Sequence, residues 1–290
     1  MSDPKPEAKP IQIKLVKWTP SSPPKQVTDF LNRPAILPQA EEAARKLLAD
    51  VRERGDAAVA DAVAQFDDQK IAPAKFAVTK AERMAALEKV DVDFKKAALE
   101  ALSRVTKFSK AGLRKDWNML SPKGGLMGEQ FQPLERVGCY IPGGAAPLAS
   151  TALMTVGLAK VAGVPEIVAC TPAEKNGRVN PYVLYALDLA GATEIYRIGG
   201  IQAIGAMAYG TKTIAPVQKI VGPGGPYVTA AKKLVYGTVD LDLVAGPSEV
   251  AILADDSAVA AHVAADLLAQ AEHGTGHEKA LLVTASAPLA

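Results

Sequence analysis

The sequence predicts an α/β fold built on a parallel sheet, and three observations carry that prediction. After Glu135, short apolar runs alternate with Gly-bounded stretches of helical period, the pattern that βαβ units leave in a sequence. Ala162-Gly163-Val164-Pro165-Glu166-Ile167 returns 28 residues later as Ala190-Gly191-Ala192-Thr193-Glu194-Ile195. One helix end, one turn and one strand start are thus used twice, too few copies for a solenoid. The chain has 290 residues, 49% of them hydrophobic, which suffices for one large domain or two ordinary ones.

Taken in order, the chain opens on a Pro-rich arm. Eight of its 21 prolines fall in the first 38 residues, so residues 1–37 should be extended or loop-like around one short strand, Ile11 to Trp18. From Pro38 the spacing of Ala43, Leu47, Leu48 and Val51 is helical, and Gly55 is the expected stop. Further helices are expected over Asp56–Phe66, 80–89 and 92–111. The last carries Lys95, Lys96, Arg104, Lys107 and Lys110, which fit a solvated face better than an anion site.

The alternating block then reads as a strand at Arg136–Ile141, a helix at Thr151–Ala162 and a strand at Glu166–Thr171. Asn180 before Pro181 is an N-cap followed by Pro at the first helical position, opening a helix to Leu189. A strand at Glu194–Ile198, a helix at Gln202–Tyr209, a strand at Lys219–Val221 and a helix from Pro226 to Tyr236 follow. Leu241–Ala245 and Val250–Ala254 read as strands around Gly246-Pro247-Ser248-Glu249. Ser257 is the expected cap of a helix to His273, before a strand at Ala280–Thr284.

Composition excludes several classes. Thirty-three Lys+Arg against 31 Asp+Glu leave +2, with no basic tract to attract nucleic acid. Cys139 and Cys170 stand 31 residues apart, which offers neither a zinc ribbon nor a Cys-x-x-Cys redox pair and fits a reducing, cytoplasmic setting. No signal peptide is visible at the start. The uncharged run Val137–Ala159 is interrupted by Pro142, Gly143, Gly144 and Pro147, so a strand, loop and helix fit it better than a membrane span. A soluble protein is expected.

Three Gly-rich turns follow strands and precede helices: Gly143-Gly144, Gly199-Gly200 and Gly222-Pro223-Gly224-Gly225. Tight βα turns need Gly for geometry alone, yet such turns also let backbone N–H groups approach a phosphate. None matches G-x-G-x-x-G, since Tyr227 stands at the third Gly position. Asp266, Gln270 and His273 share one face of the helix after Ser257, opposite a stripe containing Leu268. That face fits either a hydrogen-bonded helix end or a metal site, which His277 could join only if the chain folded back at Gly274. His262 reads as structural, and Cys139 as a buried strand thiol. Ser248 lies outside any G-x-S-x-G, so hydrolase chemistry is not expected.

Together, six segments resemble histidinol dehydrogenase. They are Arg136 to Gly144, Ser150 to Met154, Tyr196 to Ile204, Lys219 to Gly224, Ala245 to Glu249 and Asp266 to His273. They stand in the family's order and extend the likeness from about residue 40 to the end.

The resemblance implies a zinc- and NAD-dependent four-electron oxidation of L-histidinol to L-histidine through a bound aldehyde, in the last step of histidine biosynthesis. By position, Tyr140 and Gln202 match the family's NAD contacts, and Gly225 stands where the family has Asn. Ser248, Gln270 and His273 match substrate contacts, with Gln270 and His273 also matching zinc ligands. The architecture implied is two incomplete Rossmann-like parallel-sheet domains, the second (137–249) inserted in the first (38–136 plus 250–290), and an intertwined homodimer. The family's Glu–His pair holding the general base, an Asp ligand and a last His ligand have no match here. No catalytic residue is therefore assigned, and this chain is expected to show little or no dehydrogenase activity. A related dehydrogenase of another small polar alcohol, or a non-catalytic nucleotide-binding remnant, are the competing readings.

Overall fold

In the computed structural model, the described residues are 15–19, 21–33, 36–143, 147–245, 248–272 and 279–290. By contacts the chain divides into two units, Ile36–Gly246 and a second formed by Met1–Ala35 with Pro247–Ala290.

The larger unit is centred on five parallel strands: β3 (Arg136–Tyr140), β4 (Glu166–Cys170), β5 (Glu194–Tyr196), β6 (Lys219–Val221) and β7 (Asp240–Leu241). Their order is β5-β4-β3-β6-β7, so the first strand is central and the chain winds outward first to one side and then to the other. That order creates a topological switch between β3 and β6, the place where open parallel sheets bind ligands. β3 pairs with β4 from Arg136↔Glu166 to Tyr140↔Cys170, and with β6 from Val137↔Lys219 to Cys139↔Val221. Val168, Ala169, Cys170 and Ile220 are fully buried, as expected of strands covered on both faces.

The covering helices follow from local chemistry. α7 (Pro181–Ala190) begins where Asn180 Oδ1 accepts from the Tyr182 N–H at 2.9 Å, with Pro181 at the first helical position, and Gly191 ends it. α6 (Ala149–Val161), α8 (Gly200–Tyr209) and α9 (Pro226–Val235) complete the crossovers. α8 is buried along almost its whole length because α2 (Pro38–Arg54), α3 (Asp56–Phe66) and α9 pack around it. α4 (Lys80–Lys89) starts with a Thr79/Glu82 capping box and lies on α7, while α5 (Val92–Gly112) lies on α6. Of the five basic residues expected on a solvated face of α5, Lys96, Arg104, Lys107 and Lys110 are exposed.

At the amino ends of the strands, Arg136 Nη1 reaches Glu166 and Glu194, each at 2.6 Å, and Nη2 reaches Glu194 at 2.9 Å. The guanidinium therefore ties together β3, β4 and β5.

The smaller unit contains α1 (Lys25–Leu31) and one βαβ turn. β8 (Glu249–Ala254) pairs in parallel with β9 (Lys279–Thr284) through α10 (Ala260–Ala271). Arg33 forms an ion pair with Glu249.

Several expectations are corrected. In the amino-terminal arm, residues 15–18 form no strand, and α1 was not anticipated because its seven residues bury none of their number. Residues 11–14 lie outside the described residues. The β1 (Trp117–Leu120) and β2 (Leu126–Glu129) hairpin was also missed. Both strands are exposed throughout, so no alternation of apolar and polar residues marks them. The expected strand Leu241–Ala245 pairs only at Asp240–Leu241. Ser257 does not cap α10, whose N-cap is Val259. Its hydroxyl and N–H both donate to Asp255 Oδ1 instead, a local turn that competes with capping.

The Arg136 brace generates a test. Its hydrogen bonds hold the Glu194 carboxyl below its ordinary pKa. The stability this contributes is present above the ordinary carboxylate pKa and is lost as pH falls through the depressed folded value. Arg136→Met should cost about 1–3 kcal/mol, below the range for fully buried pairs because the two carboxylates are partly exposed. It should also remove that acid dependence from urea unfolding curves taken between pH 7 and pH 3.

Candidate functional site

The carboxyl ends of β3, β4 and β5 open onto a cavity of about 520 Å³. Its walls include Tyr140, Pro142 and Gly143 after β3, Thr171 to Lys175 after β4, and Gly200 at the start of α8. The volume and position suit a nucleotide-sized ligand. Gly144, expected beside Gly143, lies outside the described residues.

Two of the residues singled out from the sequence meet here. Tyr140 is 4% exposed, and its hydroxyl accepts the Gly200 N–H at 3.0 Å. Burial chiefly pushes its pKa up to about 12, so it stays a neutral phenol. Gln202 is 1% exposed and packs against the same residue: a Cβ on Gly200 would stand 2.8 Å from its Oε1. The Gln202 Nε2 is buried and has no hydrogen-bond partner among the described residues. A buried donor left this way costs about 1–3 kcal/mol. Such a cost persists where a group is held for a ligand.

The third turn is built against the first. Gly222 has φ 122°, and a Cβ there would lie 2.2 Å from the Tyr140 carbonyl oxygen. Only a glycine can therefore bring the β6 turn this close to the end of β3. The turn is locked by charge. Lys232 on α9 is 3% exposed, and its ammonium donates to the Gly222 carbonyl at 2.8 Å and to Asp242 Oδ1. Asp242 Oδ2 in turn accepts the Gly222 N–H at 2.8 Å. Both backbone polar groups of Gly222 are thus held by one ion pair.

Gly225 is the N-cap of α9, with φ −67° and ψ 178°. Nothing lies within 4 Å of where its Cβ would be, so the position has room for a side chain.

Ser248 and Gln270 belong to the smaller unit. Ser248 is exposed immediately before β8. Gln270 is half-buried on α10, on the same face as buried Val263 and half-buried Leu267. This corrects the expected polar face opposite Leu268: Leu268 is 56% exposed, and Gln270 lies on the inner side. Asp266 and His262 are exposed. His273 and His277 lie outside the described residues. Among the described residues, no group of three or more His, Cys, Asp or Glu could hold a metal. Of the two matched zinc ligands, only Gln270 is therefore placed.

Cys139 is fully buried in β3, and burial pushes its thiol up to about 12, which suits a structural residue rather than a nucleophile. No helix among the described residues is long and apolar enough to cross a membrane.

Sequence reasoning missed two parts of this site. Lys232 and Asp242 carry no motif, and only the fold brings them to Gly222. Asp67, at the end of α3, lines the cavity from outside the βαβ block. Lys232→Met should destabilise the chain by about 1–3 kcal/mol, because it leaves the Gly222 carbonyl without its donor and the partly exposed Asp242 carboxylate without its cation. Denaturant unfolding would measure this, and Lys232→Arg should recover only part of the loss.

A family model described as histidinol dehydrogenase matches residues 33–290. Histidinol dehydrogenase of Symbiobacterium thermophilum is 43% identical over 267 residues, covering 91% of this chain and 60% of the relative. That of Rhizobium meliloti is 49% identical over 240 residues, covering 83% and 55%. A crystal structure of histidinol dehydrogenase from Elizabethkingia anophelis superposes with a TM-score of 0.81 at 37% identity, over 92% of this chain and 62% of that one. The chain thus spans about 60% or less of the length of these curated relatives. With a family match across most of its residues and relatives above 40% identity, the chain belongs to the histidinol dehydrogenase family.

Proposed function

We propose that this chain is the NAD-binding part of an L-histidinol dehydrogenase, which oxidises the alcohol to L-histidine in two hydride transfers through a held aldehyde. One observation carries the cofactor assignment. The buried Gln202 amide has no acceptor for its Nε2 among the described residues, and it packs against Gly200, which lines a nucleotide-sized cavity and donates its N–H to the Tyr140 hydroxyl. NAD would supply the hydride acceptor. The residues' own work is to bind and orient: Tyr140 holds the Gly200 turn in place, and Gln202 offers an N–H. The Gly222 turn, clamped by Lys232, leaves the backbone close enough for polar ligand atoms to approach.

Substrate and zinc belong, in this reading, with Ser248, Gln270 and His273. Gln270 and His273 would ligate zinc, which would supply Lewis-acid polarisation of the substrate oxygen. The placement of Gln270 on the inner side of α10 is in keeping with that role. We also propose a cytoplasmic homodimer. Its support is the apolar surface left exposed on the α5 end and the β1–β2 hairpin, notably Phe108 (84% exposed), Leu120 (72%) and Leu126 (68%).

NAD binding can be measured without turnover. Titration calorimetry should show saturable binding of NAD to the chain, weakened about tenfold or more by Gln202→Ala, the loss expected for one desolvated hydrogen bond. Unchanged affinity in that variant would place the cofactor elsewhere. Gly225→Asn, at the position where relatives are expected to carry Asn, has both the backbone and the space for the side chain. It should tighten NAD binding severalfold, while helix capping changes stability by only a few tenths of a kcal/mol.

A further inference from the structure

In open parallel sheets that bind dinucleotides, an acidic side chain at the end of the second strand usually accepts hydrogen bonds from the adenosine ribose hydroxyls. Here the second strand of the sheet is β4, and the residues that follow it are Thr171, Pro172 and Ala173, none of them acidic. Glu174 comes next and lines the cavity, but its Oε1 already accepts from Asn180 Nδ2 at 2.8 Å. No acid therefore stands within three residues of the β4 end, and the nearest one, Glu174, is partly committed to Asn180.

Asp67 lines the same cavity from α3. It is half-buried, and its carboxylate makes no hydrogen bond or ion pair with any described residue. Burial raises its pKa with no cation opposing, and its charge is close enough to contribute to the raised pKa of the Tyr140 hydroxyl. Directly after it the chain turns through Asp68, whose φ of 52° is the one positive value at a non-glycine among the described residues. A desolvated anion without partners is unfavourable unless something else supplies donors. Vicinal ribose hydroxyls are donors of that kind, and a 2′-phosphate in the same place would be repelled.

We infer that Asp67 is the ribose-binding acid of this site and sets its preference for NAD over NADP. This rests on the NAD reading above. A carboxylate on the wall fits that reading in two ways, as an acceptor for the 2′-hydroxyl and as a charge against the phosphate. Lys175, also on the cavity wall, forms no ion pair with Asp67 among the described residues, and burial alone accounts for the raised Asp67 pKa.

The test is calorimetric titration of NAD and of NADP into the chain and into its Asp67→Asn, Asp67→Ala and Gln202→Ala variants, with thermal unfolding to verify folding. Asp67→Asn keeps the shape and removes only the charge, so it serves even if the alanine variant is unstable. The expected result is a wild-type preference for NAD that falls at least tenfold in Asp67→Asn, through weaker NAD binding, stronger NADP binding or both. Gln202→Ala should weaken both ligands alike and leave the preference unchanged. An unchanged NAD/NADP ratio in the Asp67 variants, with Gln202→Ala still weakening NAD, would overturn the inference and leave the cofactor reading intact. Absence of NAD binding by the wild-type chain would overturn both.

Discussion

The turn after β6 depends on one ion pair, between a buried lysine and a partly exposed aspartate. Lys232 and Asp242 meet over Gly222 and take up both its carbonyl and its N–H, so the turn after β6 has a single available shape. Gly222 is thereby pressed against the Tyr140 carbonyl, in the gap between the two strands where the winding of the sheet reverses. A charged pair is a costly way to hold a turn when one ion, here Lys232, is buried. It becomes favourable when each has further hydrogen bonds to make, as both do here. The pair fixes the turn as a wall against the end of β3.

Around that wall the burial of α8 decides which groups are exposed. α2, α3 and α9 enclose it so fully that Gln202, two residues from its start, is sealed in with an amide donor unspent. The Tyr140 phenol is sealed in as well, but it has the Gly200 N–H to accept. The same enclosure brings the end of α3, and with it Asp67, to the cavity rim. A helix that serves chiefly as packing thus also delivers a charge to the site.

Most of the larger unit was legible in the sequence because its signals are local. Asn180-Pro181 marks the start of α7, Pro226 that of α9 and Gly55 the end of α2, each through a backbone preference of the residue itself. The repeated Ala-Gly segment marks two crossovers of like geometry. What failed was likewise physical. The β1–β2 hairpin buries nothing and so has no hydrophobic period to read. Ser257 could satisfy its side chain with Asp255 as readily as with a helix end. Leu268 has the composition of a core residue but faces outward, while the polar Gln270 lies on the inner face.

The sequence by itself determined the α/β class, the succession along the chain and approximate limits of the parallel strands and the Gly turns that follow them, and its family resemblance marked Tyr140 and Gln202 as candidate cofactor residues. All of these rest on preferences that act within a few residues, or on motifs contiguous in the chain. Only the tertiary structure decided that Tyr140 and Gln202 share Gly200, that Lys232 and Asp242 clamp Gly222, and that Asp67 faces the cavity that β4 opens. Those are relations between residues ten to more than a hundred positions apart. No local propensity encodes them, because each is the outcome of which helix happens to cover which end of the sheet.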